Sequence, residues 1–435
     1  MLHKEALFPP ELPRPRVAYS PAIKAGPFVF VSGQLASDLN TGTPAHATLN
    51  PRFPFHGIEI ERQLRYIGEN IAVCLKAGGA RLEHVVHLTN YLIDPADQPG
   101  ATRALQGCFG GTPPPTSTII VDELPIPGCR SEIDLVALMP DAGQRLEPLN
   151  PPAVPAPLPA GLDGPPLHHY GVKCGPWLFT SGVLATDYAQ GIAAEAKTTD
   201  TFPYYGENGR LQTAYILDRL AAVLAAGGAS LRDVVKAEVY LTDLKDFFRL
   251  DEVWKEYFPI DPPARTTAPV RDLGVPGARV AINLIAFQPG PGQVRRTIHT
   301  AAAPTPLTHE PQAVQAGPLL FFSQQMATDY RTGVPPEAKL NPAFPFYGSE
   351  SAAQVNYIVK NIEAICTAAG TSSEHLVRRR GFYIDFSEFF TSFATWGKAF
   401  PSAPPASTTI RVPAPLPVPG CKVAIDLIGL IPDAG

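Results

Sequence analysis

Residues 128–138 read GCRSEIDLVAL, residues 277–287 read GARVAINLIAF, and residues 420–430 read GCKVAIDLIGL. Each is a turn glycine followed by an apolar run of strand length. Gly128, Gly277 and Gly420 stand 149 and 143 residues apart. Further anchors keep this register. Gln63, Gln212 and Gln354 are spaced by 149 and 142, as are Asp38, Asp187 and Asp329, and Phe109, Phe258 and Phe400. Pro140-Asp141-Ala142-Gly143 returns as Pro432-Asp433-Ala434-Gly435, and Gln288–Gly292 holds the place between them. The chain is therefore three copies of one unit, about 1–143, 144–292 and 293–435.

Each copy reads alike. In the first, a strand pair (Arg16–Lys24, Phe28–Ser32) is joined by a Gly-Pro turn. A loop with Phe53-Pro54-Phe55 follows, matched by Phe202-Pro203-Tyr204 and Phe344-Pro345-Phe346. Next comes a helix with Leu64, Ile67, Ile71, Cys74 and Leu75 mainly on one face, ended by Gly78-Gly79. A strand (Val85–Ile93), a second helix (Phe247–Phe258 in the second copy) and a closing strand pair complete it. The order β-β-α-β-α-β-β gives an α+β unit with helices on one sheet face. The other faces need cover, and three units in one chain supply it to each other. The expectation is a pseudo-trimer with central sheets and outer helices. Pro-rich Glu147–Pro159 and Thr300–Pro306 read as extended spacers. Asp38, Asp187 and Asp329 read as turn caps.

Composition excludes several classes. The 435 residues are 45% hydrophobic and 17% charged, with 50 Pro and 36 Gly, unlike a coiled coil, a collagen or a disordered chain. A net charge of -5 argues against a nucleic-acid partner bound through a basic face. No apolar run approaches the ~20 residues of a membrane span. The N-terminus lacks the apolar centre of a signal peptide. Six scattered cysteines without a CxxC pair read as reduced thiols of a cytoplasmic protein, with Cys129 and Cys421 as core packing. Without HxxxH or HExxH spacing, no metal site is expected.

Tyr19-Ser20-Pro21-Ala22, Phe30-Val31-Ser32-Gly33-Gln34, Asn70-Ile71, Tyr91–Asp94, Pro263-Ala264-Arg265-Thr266-Thr267 and Glu132-Ile133-Asp134 together resemble the Rid family (YjgF/YER057c/UK114). The resemblance extends over the whole chain, three times. It implies a chorismate-mutase-like unit fold, trimers with a cleft at each interface, and hydrolysis of imines or enamines without metal or cofactor. It also implies roles: the signature arginine holds a substrate carboxylate, a backbone N–H at the Ser-Gly turn assists, a carboxylate in the last strand handles water, and an opening Tyr shapes the pocket.

The copies depart from that pattern. The signature arginine position holds Thr116, Arg265 and Ser407. The late carboxylate position is read as Asp134, Asn283 and Asp426. The opening Tyr position holds Tyr19, His168 and Glu310, and the turn holds Ser32-Gly33, Ser181-Gly182 and Ser323-Gln324. No copy carries a full set. The expected catalytic residues are Arg265, Asp134 and Asp426. Tyr19, Ser32, Gly33, His168, Ser181, Gly182 and Asn283 are the expected substrate contacts. Bland alternatives stand beside them: Arg265 paired with Asp272, strand acids facing solvent, and His168-His169 as a loop pair rather than a base. The Phe-Pro-aromatic loops either wall a pocket or cover a neighbouring unit's core, with the second favoured. The resulting expectation is a cofactor-free hydrolase or deaminase acting on a small carboxylate-bearing C–N substrate. The alternative is a binding or scaffold protein with degenerate clefts. Neither nucleic acid nor membrane is an expected partner, and assembly beyond the pseudo-trimer stays open.

Overall fold

The computed structural model describes residues 2–199 and 207–432. The first unit contains β1 (Lys4–Leu7), β2 (Ala22–Ala25), β3 (Phe28–Leu35), α1 (Glu59–Ala77), β4 (Val85–Leu92), α2 (Gln98–Phe109), β5 (Thr116–Ile120) and β6 (Ser131–Leu138). The second contains β7 (Glu147–Leu149), β8 (Gly171–Cys174), β9 (Trp177–Thr180), β10 (Val183–Leu184), α3 (Asn208–Ala226), β11 (Val234–Leu241), α4 (Phe247–Tyr257), β12 (Ala264–Pro269) and β13 (Val280–Phe287). The third contains β14 (Arg295–Ile298), β15 (Ala313–Ala316), β16 (Leu319–Phe322), β17 (Gln325–Met326), α5 (Glu350–Ala369), β18 (Leu376–Tyr383), α6 (Phe389–Ala399), β19 (Ala406–Arg411) and β20 (Val423–Leu430).

The sheets run β1-β2-β3-β6-β4-β5, β7-β8-β9-β13-β11-β12 and β14-β15-β16-β20-β18-β19. The last pair of each path is parallel, and all other neighbours are antiparallel. A parallel pair needs a crossover, and α2, α4 and α6 provide it. Each unit thus has one edge strand more than its sequence pattern predicts, and the second and third units carry a further two-residue strand, β10 and β17. β1, β7 and β14 are short polar edge strands, so their alternation is too brief to read. Glu147–Leu149, expected to be part of a spacer, is one of them.

The repeat anchors turn out to be one tie made three times. Gln63, Gln212 and Gln354 each donate to the carbonyl of Gly128, Gly277 or Gly420 at 2.9 Å. Each also accepts the backbone N–H of Arg130, Arg279 or Lys422 at 2.7–2.8 Å. This fixes the first helix of each unit to its last strand. Asp38, Asp187 and Asp329 each accept two backbone N–H groups of the following turn.

Alternation in the last strand divides its two faces. Ile133, Leu135 and Ala137 pack under α1, while Val136 and Leu138 face the other way. There they join one apolar cluster drawn from all three sheets. Trp177 of the second unit meets Phe28 of the first at 5.3 Å and Phe321 of the third at 6.1 Å. Backbone bonds close the ring: Gly182 N to Thr116 O, Gln324 N to Arg265 O, and Ser20 N to Pro405 O. The three sheets are central and the helices lie outside.

The Phe-Pro-aromatic loops of the first and third units do neither of the things expected of them. Phe55 and Phe346 are 93% and 94% exposed. Phe202–Gly206, their counterpart, lies outside the described residues. Among the described residues, no helix is long and apolar enough to cross a membrane.

At the ring's centre, buried charges alternate. Lys236 pairs with Asp426; Arg378 pairs with Asp426 at 2.6 Å and Glu238 at 2.9 Å; Arg380 pairs with Glu238 at 2.7 Å and with Asp134. Three cations and three carboxylates cancel. Removing one member strands a buried charge, which costs ~3–5 kcal/mol. Asp134→Ala is therefore expected to lower unfolding free energy by about that much in denaturant titration. Arg81→Ala, which breaks an exposed pair with Glu83, should cost under ~1 kcal/mol. Equal losses would contradict the central role of the ionic chain.

Candidate active site

The ring creates three inter-unit clefts, and the sequence-predicted residues divide unevenly among them. Asp134, Asp426 and Asn283 line none of them. They come together on the ring's axis. Asp134 accepts from Arg380 Nε at 2.7 Å and from Thr408 at 2.8 Å, Asp426 accepts from Thr266 at 2.7 Å, and Asn283 donates to Glu238 at 3.2 Å. Every one is buried and engaged with the chain's own groups, away from the cavities where the expected catalytic and substrate contacts would be made.

The second–third cleft is filled with charge. Arg265 is fully buried. Its Nη2 donates to Asp251 at 2.7 Å and its Nε donates to Glu310 of the third unit at 2.8 Å. Its partner is thus not Asp272. Burial alone would push the Asp251 carboxyl up, but Arg265, Lys255 and a backbone N–H hold it below the usual range. Glu310 goes the other way, raised by burial despite Arg265. Two carboxylates already offset the single positive charge, which disfavours burying a third beside it. The charge of Arg265 is balanced from within the chain by Asp251 and Glu310, while its Nη1 has no hydrogen-bond partner.

The first–second cleft is a cavity of about 310 Å³ bordered by Thr116, His168, Gly182 and Ala281. It has neither the arginine nor an acid at those positions. His168 is buried, its Nδ1 3.0 Å from the carbonyl of His169, and burial lowers its pKa to about 4. It is a neutral imidazole on an apolar wall. Ser181 is buried away from the cavity.

The third–first cleft differs. A cavity of about 330 Å³ is bordered by Tyr19, Gly33 and Glu132 of the first unit and by Phe389, Phe393, Ser407 and Thr409 of the third. Ser32 does not line it. Its hydroxyl donates to Ser20 O at 2.6 Å and accepts Ser407 N at 2.7 Å, pinning the two units together. Glu132 is the residue that sequence reasoning missed. It is 2% exposed, and its Oε2 has no bonding partner. Burial, then the nearby Asp134 charge, holds its carboxyl well above the usual range, against one bond from Thr409 N–H. The corresponding residues Ala281 and Ala424 carry no acid. The signal was present: one acid at this place in one copy only.

Gly33 makes room for that carboxyl. A Cβ on Gly33 would fall 1.8 Å from Glu132 Oε1. Gly33→Ala should therefore displace Glu132 and destabilise by ~1–3 kcal/mol. Gly107→Ala, on α2 with no atom within 4 Å of the added Cβ, should be neutral or stabilising in the same thermal-unfolding assay. A tolerated Gly33→Ala would contradict the packing described. Among the described residues, no group of three His, Cys, Asp or Glu side chains is placed to hold a metal.

A family model described as Endoribonuclease L-PSP matches residues 10–139, 165–288 and 300–431. A RutC family protein of Saccharolobus solfataricus is 41% identical over 103 residues, 24% of this chain and 73% of that protein. The chloroplastic Reactive Intermediate Deaminase A of Arabidopsis thaliana is 34% identical over 128 residues, 29% of this chain and 60% of that protein. A solved RidA structure from an Antarctic Psychrobacter covers 31% of this chain and 99% of its own, at 25% identity and a TM-score of 0.26. With the family pattern matched in three successive segments, each placed on its own sheet, the chain belongs to the Endoribonuclease L-PSP family.

Proposed function

We propose that the third–first cleft hydrolyses an imine or enamine bearing a carboxylate, releasing ammonia without metal or cofactor. The observation that carries this is Glu132: a buried carboxyl with a free oxygen, facing a cavity between units. Burial and the nearby Asp134 charge favour its protonated form. It gives that proton to the imine nitrogen, then as carboxylate takes one from the attacking water. Returned to nitrogen, the proton makes ammonia the leaving group, and imine plus water becomes ketone plus ammonia. Phe389 and Phe393 provide an apolar wall. The likeness to a protein named a reactive intermediate deaminase supports the same chemistry. Arg265 has no part in it, because it lies in the second–third cleft with its charge balanced by Asp251 and Glu310.

A second reading applies to the first–second cleft. With Thr116 and Ala281 where an arginine and an acid would serve, it suits binding of a neutral ligand rather than turnover. RNA is a poor fit to the third–first cleft, where Arg16 is the cation among the bordering residues and phosphate contacts need several.

Ammonia release from 2-imino acids generated in situ tests the proposal. Glu132→Gln should lose ~10²–10⁴-fold in kcat/KM, and Arg265→Met, if folded, should retain turnover. The reverse pattern would overturn the assignment. Stability supplies an independent check. Above the unfolded value near ~4.5, folded Glu132 stays protonated while the unfolded chain ionises, so wild-type stability falls as pH rises. Glu132→Gln removes that loss. Its Tm advantage should be absent near pH 4 and grow toward pH 8, whereas a constant difference would contradict the buried carboxyl.

A further inference from the structure

The third–first cleft also holds a buried guanidinium bonded only to neutral oxygens. Arg379 on β18 stands opposite Ser407 on β19. In the second unit the equivalent pair is Ala237 opposite Arg265. Between units, the arginine has changed strands and kept its level on the sheet. Its surroundings match: Arg265 lies 5.0 Å from the Trp254 ring, and Arg379 lies 5.0 Å from the equivalent Trp396 and 4.8 Å from Phe393. Gly381 makes the space, since a Cβ there would lie 2.6 Å from Arg379 Nη2.

Their partners differ. Where Arg265 meets Asp251, the repeat places Phe393; where it meets Glu310, the repeat places Tyr19. Arg379 instead donates from Nη1 to Ser407 Oγ at 3.1 Å and Thr409 Oγ1 at 3.2 Å, and from Nη2 to Tyr383 OH at 3.1 Å. Its Nε has no partner. A buried cation without a counter-charge is costly. A hydroxyl that accepts from a guanidinium keeps its own proton to donate. Ser407 and Thr409 both border the cavity, so they present two O–H donors with a positive charge behind them. Thr409 and the proposed acid Glu132 border the same cavity, so both can face one ligand.

We propose that the Ser407 and Thr409 hydroxyls, backed by Arg379, bind the carboxylate of the ligand in the third–first cleft. This rests on reading that cleft as the active one. Arg379 acts through the hydroxyls and is a positioning residue. It restores, from the neighbouring strand, the positive charge that Ser407 removed.

Calorimetric titration of the full chain with 2-oxobutanoate, and with neutral 2-butanone as control, tests the proposal. Arg379→Met should weaken 2-oxobutanoate binding by about tenfold or more and leave 2-butanone unaffected. Arg379→Lys should recover part of the loss. Ser407→Ala with Thr409→Val should show the same loss with the cation in place, and this variant decides if Arg379→Met fails to fold. Undiminished binding in these variants, no 2-oxobutanoate binding by wild type, or a loss confined to Arg16→Gln would each overturn it. Glu132→Gln separates the two proposals. If it binds 2-oxobutanoate normally and releases ammonia as fast as wild type, the catalytic reading fails and the carboxylate site stands.

Discussion

Each sheet has one face covered by its own helices and one that only the other two sheets can cover. The remaining features follow from that constraint. Val136, Ile285 and Ile428 hold the same place in their strands and meet in one cluster. Equivalent positions are neighbours in space, so a polar residue at such a position faces its counterparts. On the axis this yields the alternating run from Lys236 through Asp426, Arg378, Glu238 and Arg380 to Asp134. A homotrimer would place three identical charges around that axis. Fusion lets the three positions differ, and here they differ so that the charges cancel.

The same freedom separates the clefts. One guanidinium level on the sheet has three outcomes. In the first unit Leu88 stands opposite Thr116, with no cation. In the second, Arg265 is locked to Asp251 and Glu310. In the third, Arg379 supports two cavity hydroxyls. The acid Glu132 comes from the first unit and faces the third unit's side of this series. A cleft thus depends on residues from two copies, and no copy has to carry a complete set.

Much of this was legible in the sequence. The anchor spacings mark three copies, and Gln63 with Gly128 proved to be a bond repeated in each. The late carboxylate was harder. Glu132 and Asp134 alternate onto the same face, so periodicity cannot separate them. Two residues of strand rise, ~7 Å, put one at the cleft and the other on the axis. Asp134 drew attention because an acid recurs at Asp426, yet recurrence there reflected the axis. Arg379 lay in the run Arg378-Arg379-Arg380, where alternation sends the outer two to the axis and the middle one to α6. Its role depends on which residue stands opposite across a parallel pair, and a single strand's sequence does not contain that.

If the proposal holds, only one of the three clefts binds a carboxylate. The most direct test counts the 2-oxobutanoate molecules bound per chain at saturation by equilibrium dialysis. The account predicts one, displaced from the third–first cleft. Two or three equivalents per chain would contradict it.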